Sequence, residues 1–306
     1  MSDTSSSNKI SIGIMLAILA TFIWSGNFIV ARGVINDIPP ISLSFFRWLC
    51  ATALLFPFVL KSVIKECKAI KKSFFYLSGI SFFGIALFNT FVYIGGNYST
   101  AINLALIGTT SSPIMSIILA RIFLKEKVNG MKVGGIILCI SGILFLLSKG
   151  SFQNLLNFQF SKGDMWILVA AFCFAIYNTM AKNKPTGISP PNFLFIIFLM
   201  GTLMLLPFYF WEASQSSNIL WNSKLVYIIL YLGLGASVIC FLLWNSAIAR
   251  LGSGRTALFG NLIPIFSTLE AVIILNETFT KTHIISMILV FSGILLANFQ
   301  QKAKSN

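Results

Sequence analysis

The sequence predicts an all-α membrane protein, with ten transmembrane helices forming two inverted five-helix repeats around a central cavity. Three observations carry that expectation. Of 306 residues, 57% are hydrophobic and only 10% charged, and the mean hydropathy is +0.87. That leaves too little polar surface to coat a water-soluble globule of this size. Apolar stretches close to 20 residues, the length a helix needs to cross about 30 Å of hydrocarbon, recur along almost the whole chain. Finally, one set of landmarks occurs twice at one spacing. Pro113, Glu126 and the Ser141-Gly142 pair return as Pro264, Glu277 and Ser292-Gly293, and 264 − 113, 277 − 126 and 293 − 142 all equal 151. Ala20, Asn27, Pro39-Pro40, Tyr76 and Gly84 fall likewise on Ala171, Asn178, Pro190-Pro191, Tyr227 and Gly235. Five crossings bring a chain out on the side opposite its entry, so the second copy runs upside down, an architecture of transporters.

In order, the spans are expected near 10–31, 41–60, 74–94, 101–123 and 132–148 in the first copy, and near 164–181, 192–211, 225–247, 256–275 and 282–299 in the second. The copies occupy residues 10–148 and 164–300, joined by an external linker at 149–163, with cytoplasmic tails at 1–9 and 301–306. The first span follows Lys9 as a signal peptide would, but its apolar run is too long for one and its repeat partner is internal, so it reads as an anchor. Asn129, Thr280 and Pro190-Pro191 suit the starts of the fifth, tenth and seventh helices. The long continuous apolar runs lack the alternation of barrel strands.

Charge distribution orients the chain. The net charge is +14, and with both termini in the cytoplasm the inner segments hold sixteen of the 22 basic residues, among them Lys61, Lys65, Lys68, Lys71 and Lys72. Only Arg32, Arg47, Lys149, Lys162, Lys224 and Lys281 fall on the outer side. This is the positive-inside pattern of a cytoplasmic membrane of a bacterium, and it assigns the basic surface to anionic lipid headgroups instead of nucleic acid. The five cysteines are scattered, without a C-x-x-C pair, and imply neither disulfides nor a metal site. No phosphate loop is present, and His283 is the only histidine. A hydrolytic triad, a histidine metal pair and a nucleotide site are thereby excluded, so the expectations are no enzyme, no catalytic residue, no cofactor and no metal. The sequence leaves the oligomeric state open.

Candidate pathway residues follow from the cost of polarity in lipid. Pro113 and Pro264 lie near the middle of the fourth and ninth spans, where each leaves a carbonyl without its amide partner. Thr109, Thr110, Ser111 and Ser112 surround the first, Gly260 and Asn261 the second. A lone proline would read as a packing kink, but interrupted helices at matching places in the two copies point to a midplane site that lines the pathway. Glu270 is the only carboxylate well inside a span, and an intramembrane acid is a functional candidate by default. It lies about 8 Å deep at 1.5 Å per residue. Arg47 lies at similar depth, so the two are expected either to pair or to bind opposite ends of a zwitterion; the alternative is a snorkelling Arg47 and a protonated or water-facing Glu270. Asn27 and Asn178 are mirrored amides, and Asn245 adds another. Trp24, Tyr93, Tyr177 and Trp244 are placed to stack on a ligand, or to pack. Glu126 and Glu277 stand just ahead of helix starts, which favours a structural role at the helix dipole.

The stretch from Ala20 through Trp24-Ser25-Gly26-Asn27 to Phe28, the run from Pro39-Pro40 to Phe46-Arg47-Trp48, and the Pro113 to Glu126 and Pro264 to Glu277 segments together resemble the EamA family of the drug/metabolite transporter superfamily. The resemblance spans residues 10 to 300. It implies a ten-helix bundle of two inverted repeats with a central cavity between the halves, exporting amino acids, their derivatives or other small metabolites without ATP. The copies differ where Arg47 maps onto Phe198 and Leu119 onto Glu270, so any coupling role belongs to one half. The function expected is a secondary carrier of a small metabolite, with membrane lipids as its surroundings. A membrane scaffold and a channel-like conductor are the alternatives.

Overall fold

Apolar helices carry the chain. The computed structural model describes residues 2–125, 130–156, 160–215 and 219–298. Among the described residues, nine helices are long and apolar enough to cross a membrane: α1 (Lys9–Gly33), α2 (Pro40–Lys65), α3 (Phe74–Gly96), α4 (Ala101–Phe123), α5 (Gly130–Leu147), α6 (Lys162–Ala181), α7 (Pro190–Gln215), α8 (Ser223–Leu251) and α9 (Arg255–Leu275). α10 (Lys281–Ala297) is apolar but shorter. Short helices at Cys67–Lys72 and Phe152–Leu156 fill two connections, and no strand occurs among the described residues. Large side chains such as Phe58, Phe75 and Ile273 point outward, as suits a helix surface solvated by lipid rather than water.

The boundaries follow local chemistry. Pro190 opens α7, where its missing N–H costs nothing. Thr100 caps α4 through the Asn103 amide, Ser161 caps α6 through that of Asp164, and Asn222 caps α8 through that of Leu225. Ahead of α10 the Thr280 amide donates to His283 Nδ1. Lys125 and Asn276, 151 residues apart, both adopt left-handed backbone conformations where α4 and α9 end. The expected cap at Asn129 lies outside the described residues, as does Glu126.

Helix ends are also stitched across the bundle. Glu212, in the last turns of α7, accepts from the Ile41 and Ser42 amides and the Ser42 hydroxyl at the start of α2. At the other end of the same pair, Glu66 accepts from the Ser189 amide and Asn192 Nδ2 at the start of α7. Each carboxylate meets amides that have no partner within their own helix, and each sits at the positive end of a helix dipole. The two helices therefore run antiparallel. α5 and α10 do the same: Cys139 Sγ reaches the Val290 carbonyl, while Ser286 donates to the carbonyl of Gly142. A Cβ on Gly135 would lie 2.5 Å from the Gly293 oxygen, so glycine is what lets these backbones touch.

Two apolar clusters form the core. One draws on α1, α3, α4, α5 and α6 with parts of α8; the other joins α2 to α3 and α7 through Phe45, Trp48, Ile80, Ile85, Phe195 and Phe198. α3 and α8 each contain a stretch of π-helix, Phe82–Leu87 and Tyr231–Ile239. Such wide turns redirect the following side chains and concentrate at functional places.

Two outcomes follow. Gly135→Val has to part α5 from α10 and should lower stability by about 1–3 kcal/mol or more in unfolding measured in detergent. Burial raises the Glu66 pKa, but its bonds to Asn192 and Ser189 together outweigh that and hold the carboxyl below its ordinary value. Its contribution is thus complete above the usual carboxylate value of about 4.3 and disappears as pH falls through the lowered one. The unfolding temperatures of wild type and Glu66→Gln should converge over that acid range.

Candidate functional site

One turn of α1 organises the polar centre of the bundle. Successive residues on a helix point about 100° apart, so Ser25, Gly26 and Asn27 face three different neighbours.

Asn27 faces Arg47, and the guanidinium is buried, with 5% of its surface exposed. Arg47 Nη1 donates to Asn27 Oδ1 at 2.5 Å, to Asn89 Oδ1 at 2.8 Å and to the Tyr93 hydroxyl at 2.8 Å, while Nε donates to Ser237 Oγ at 3.2 Å. The Tyr93 hydroxyl in turn donates to Asn27 Oδ1 at 3.0 Å. The Trp48 ring lies 4.7 Å from the guanidinium carbon, within cation–π range. Four helices, α1, α2, α3 and α8, thus meet on one cation. Every one of these partners is neutral.

Ser25 faces Glu270 of α9 instead. Its hydroxyl is 2.6 Å from Glu270 Oε1, and the Ser267 hydroxyl donates to the Ser25 carbonyl at 3.0 Å. Glu270 Oε2 is buried and has no hydrogen-bond partner among the described residues.

Gly26 faces Tyr231, the first residue of the π segment in α8. A Cβ at Gly26 would overlap the Tyr231 hydroxyl, which donates to the Ile23 carbonyl. One residue earlier on the same turn, Trp24 Nε1 donates to the Ala236 carbonyl at 2.9 Å, and its ring stacks obliquely on Trp244 at 5.1 Å.

A shallow pocket opens where α1 ends and α2 begins, lined by Ala31, Val34, Ile38, Leu43, Tyr93 and Asn97. The Tyr93 side chain borders both this pocket and Arg47.

Of the residues singled out in the sequence, Asn27, Arg47 and Tyr93 come together directly, as do Trp24 and Trp244. Arg47 and Glu270 do not pair: no ion pair within 4.0 Å joins them, and they meet different residues of α1. Arg47 does not snorkel either, because three amide and phenol oxygens hold it inside. Tyr177 stacks on Phe174 and fills the space beside Gly84. Asn178, the repeat counterpart of Asn27, is half-buried and without a guanidinium to meet, since the counterpart of Arg47 is Phe198, packed on Trp48.

The mirrored prolines behave differently from each other. α4 continues as α-helix through Pro113, which lies on an exposed face, whereas Thr110, Ser111 and Ser112 beside it are buried. The Ser111 and Ser112 hydroxyls have no hydrogen-bond partner among the described residues. In α9 the helix tightens to a 3-10 turn at Gly260–Leu262 and resumes at Ile263, with Pro264 buried in the new first turn. Gly260 and Asn261 are weak helix formers and Pro264 needs no amide there, so the break falls in the second copy alone. Asn261 is half-buried and Asn245 exposed. Glu277 stands before α10 in sequence, but its carboxylate caps α4, accepting from the Ala101 amide at 2.7 Å and the Ile102 amide at 3.1 Å. No group of three acidic, histidine or cysteine residues among those described is placed to hold a metal ion.

Asn89, Ser237, Tyr231 and Ser25 were not predicted. Asn89 had a legible signal, being an intramembrane amide one helical turn before Tyr93. Ser237 and Tyr231 had none, because their direction is set by the π-helix.

The profile of the EamA-like transporter family matches the chain twice, over residues 11–148 and 161–299. The chain belongs to the EamA-like transporter family. Its relatives share the full length. A protein named an uncharacterized transporter of Archaeoglobus fulgidus is 26% identical, over 94% of this chain and 97% of its own. A protein named a probable amino-acid metabolite efflux pump of Escherichia coli K12 is 23% identical, over 93% and 94%. A crystal structure with 16% identity superposes with a TM-score of 0.60, covering 98% of this chain and 99% of that one, and so shares the fold. Together with the apolar helices, the family makes this an EamA-like integral membrane protein, and its transporter-named relatives point to transport rather than catalysis.

Replacing Asn89 by Leu in this EamA-like chain removes one acceptor from a buried cation and should cost about 1.5–3 kcal/mol of stability. Asn245→Leu, on an exposed face, should stay within about 0.5 kcal/mol. Unfolding of both variants in detergent measures the contrast.

Proposed function

We propose that the protein is a secondary carrier that exports amino acids or related small metabolites across the cytoplasmic membrane of a bacterium, without ATP. Two inverted five-helix halves rock about a shared polar centre to give alternating access. The observation that carries this reading is the makeup of that centre: Asn27, Arg47, Asn89 and Tyr93 come from the first half, Ser237, Tyr231 and Glu270 from the second. A purely structural bundle has no use for a charged, hydrogen-bonded hub between its halves, whereas a substrate site at the repeat interface needs one. The naming of relatives as amino-acid metabolite efflux pumps supports the substrate class and the direction.

Several features support the inverted pairing. The Cys139 to Val290 contact joins residues 151 apart, so a 151-residue repeat maps its two ends onto each other. The Gly135 contact with Gly293 maps in the same way onto the contact of Ser286 with Gly142. α1 packs on α9 as α6 packs on α4, and α1 on α8 as α6 on α3. The π segments of α3 and α8 overlap under the same shift. Both termini are then cytoplasmic, in keeping with the basic inner loops.

Purified protein in liposomes loaded with unlabelled amino acids should accumulate the labelled form by counterflow, and no counterflow with any amino acid or metabolite tested would refute carriage. Glu270→Gln removes the intramembrane acid, so a pH gradient that drives wild-type uptake should no longer drive the variant. Single cysteines at Lys125 and Asn276, in a cysteine-free background, should react from opposite sides of the membrane. Reaction from one common side would rule out inverted halves.

A further inference from the structure

Arg47 and Glu270 are two incomplete half-sites. A guanidinium carries five N–H hydrogens. Ser237 takes Nε, and the oxygens of Asn27, Asn89 and Tyr93 all converge on Nη1, leaving Nη2 without an acceptor among the described residues. No carboxylate neutralises the cation within 4.0 Å among those residues. Glu270 is incomplete in the complementary sense: Oε1 has Ser25, and Oε2 is buried with nothing to accept from. The two groups bear on the same turn of α1, two residues apart. Between the residues they touch sits Gly26, with Tyr231 against it.

We propose that Tyr231 is a removable partition between an anion half-site at Arg47 and a cation half-site at Glu270, and that a zwitterionic amino acid displaces it to bridge the two. The substrate carboxylate takes Arg47 Nη2 and its ammonium takes Glu270 Oε2. This rests on the carrier reading above and names the substrate chemistry of that site. In a low-dielectric interior an uncompensated charge is costly, so a ligand with only one charged group leaves the opposite residue unpaired. A zwitterion completes both and carries no net charge through the lipid. Tyr231 is suited to leave: its ring is only partly buried at the edge of the core, its hydroxyl is tied by a bond to the Ile23 carbonyl, and the π segment that it begins has one more residue per turn than the ladder around it requires. Gly26 leaves room for the ring in the empty state, and the same room admits the ligand backbone once the ring swings out.

The test uses the full-length protein in liposomes. The amino acid that gives the strongest counterflow is competed by its own decarboxylated amine and by its own deaminated acid. Each analogue should compete at least about tenfold more weakly than the parent, the scale of a lost charge-assisted hydrogen bond. Glu270→Gln should abolish the preference for the parent over the deaminated acid, yet leave the preference over the amine. Arg47→Gln should do the converse. Tyr231→Phe lacks the bond that holds the partition and should lower the apparent KM for the parent severalfold, a change that a packing role would not produce. Unfolding temperatures identify any variant that fails to fold, and the two remaining variants then carry the test. If either analogue competes as well as the parent, or Glu270→Gln weakens all three compounds equally, the bridging site is wrong even though counterflow persists. If no amino acid gives counterflow, the carrier reading for amino acids falls with it.

Discussion

A guanidinium buried in a membrane protein has to be solvated by the protein, and at Arg47 that requirement draws four helices together. Asn27 on α1, Asn89 and Tyr93 on α3 and Ser237 on α8 replace the water that Arg47 on α2 would otherwise hold. Bonds to neutral oxygens lower the cost of burial without cancelling the charge. The residual positive potential is therefore a built-in property of the centre, and the acid that could neutralise it is turned aside onto Ser25. An attraction between Arg47 and Glu270 is thus left unused by the fold itself.

The same rule governs the helix ends. Glu212, Glu66 and Glu277 each reach from the end of one helix to the free amides at the start of another, so carboxylates rather than covalent loops fasten α7 to α2, α2 to α7 and α9 to α4. Such charge-assisted bonds are strong but reversible. Glycines at the α5–α10 crossing act in the opposite way. Backbone contact leaves no slack, so that pair resists sliding.

Much of the architecture was legible because hydropathy and repetition survive without knowledge of packing. Each apolar stretch expected as a span lies on one of the ten helices, and Arg47 and Glu270 stood out as charges inside apolar runs. The connections between residues were less legible. Glu277 reads as a cap on the helix that follows it, but the chain folds so that the start of α4 is the nearer set of free amides. Pro113 and Pro264 look equivalent in sequence, and only the weak helix formers ahead of Pro264 turn one of them into a break. The π-helical stretches rotate Ser237 and Tyr231 out of the ordinary 3.6-residue register, so helical periodicity could not assign them to the centre. A repeat also hides its own exceptions: Asn27 and Asn178 match, but Phe198 in place of Arg47 gives the second amide nothing to bind.

A structure determined with a transported amino acid bound is the most direct measurement of whether the buried charges form one substrate site. It should place the ligand carboxylate within hydrogen-bond distance of Arg47 Nη2 and the ammonium on Glu270, with the Tyr231 hydroxyl released from Ile23. A ligand bound elsewhere, with the Arg47 cradle intact and Tyr231 still on the Ile23 carbonyl, would contradict it.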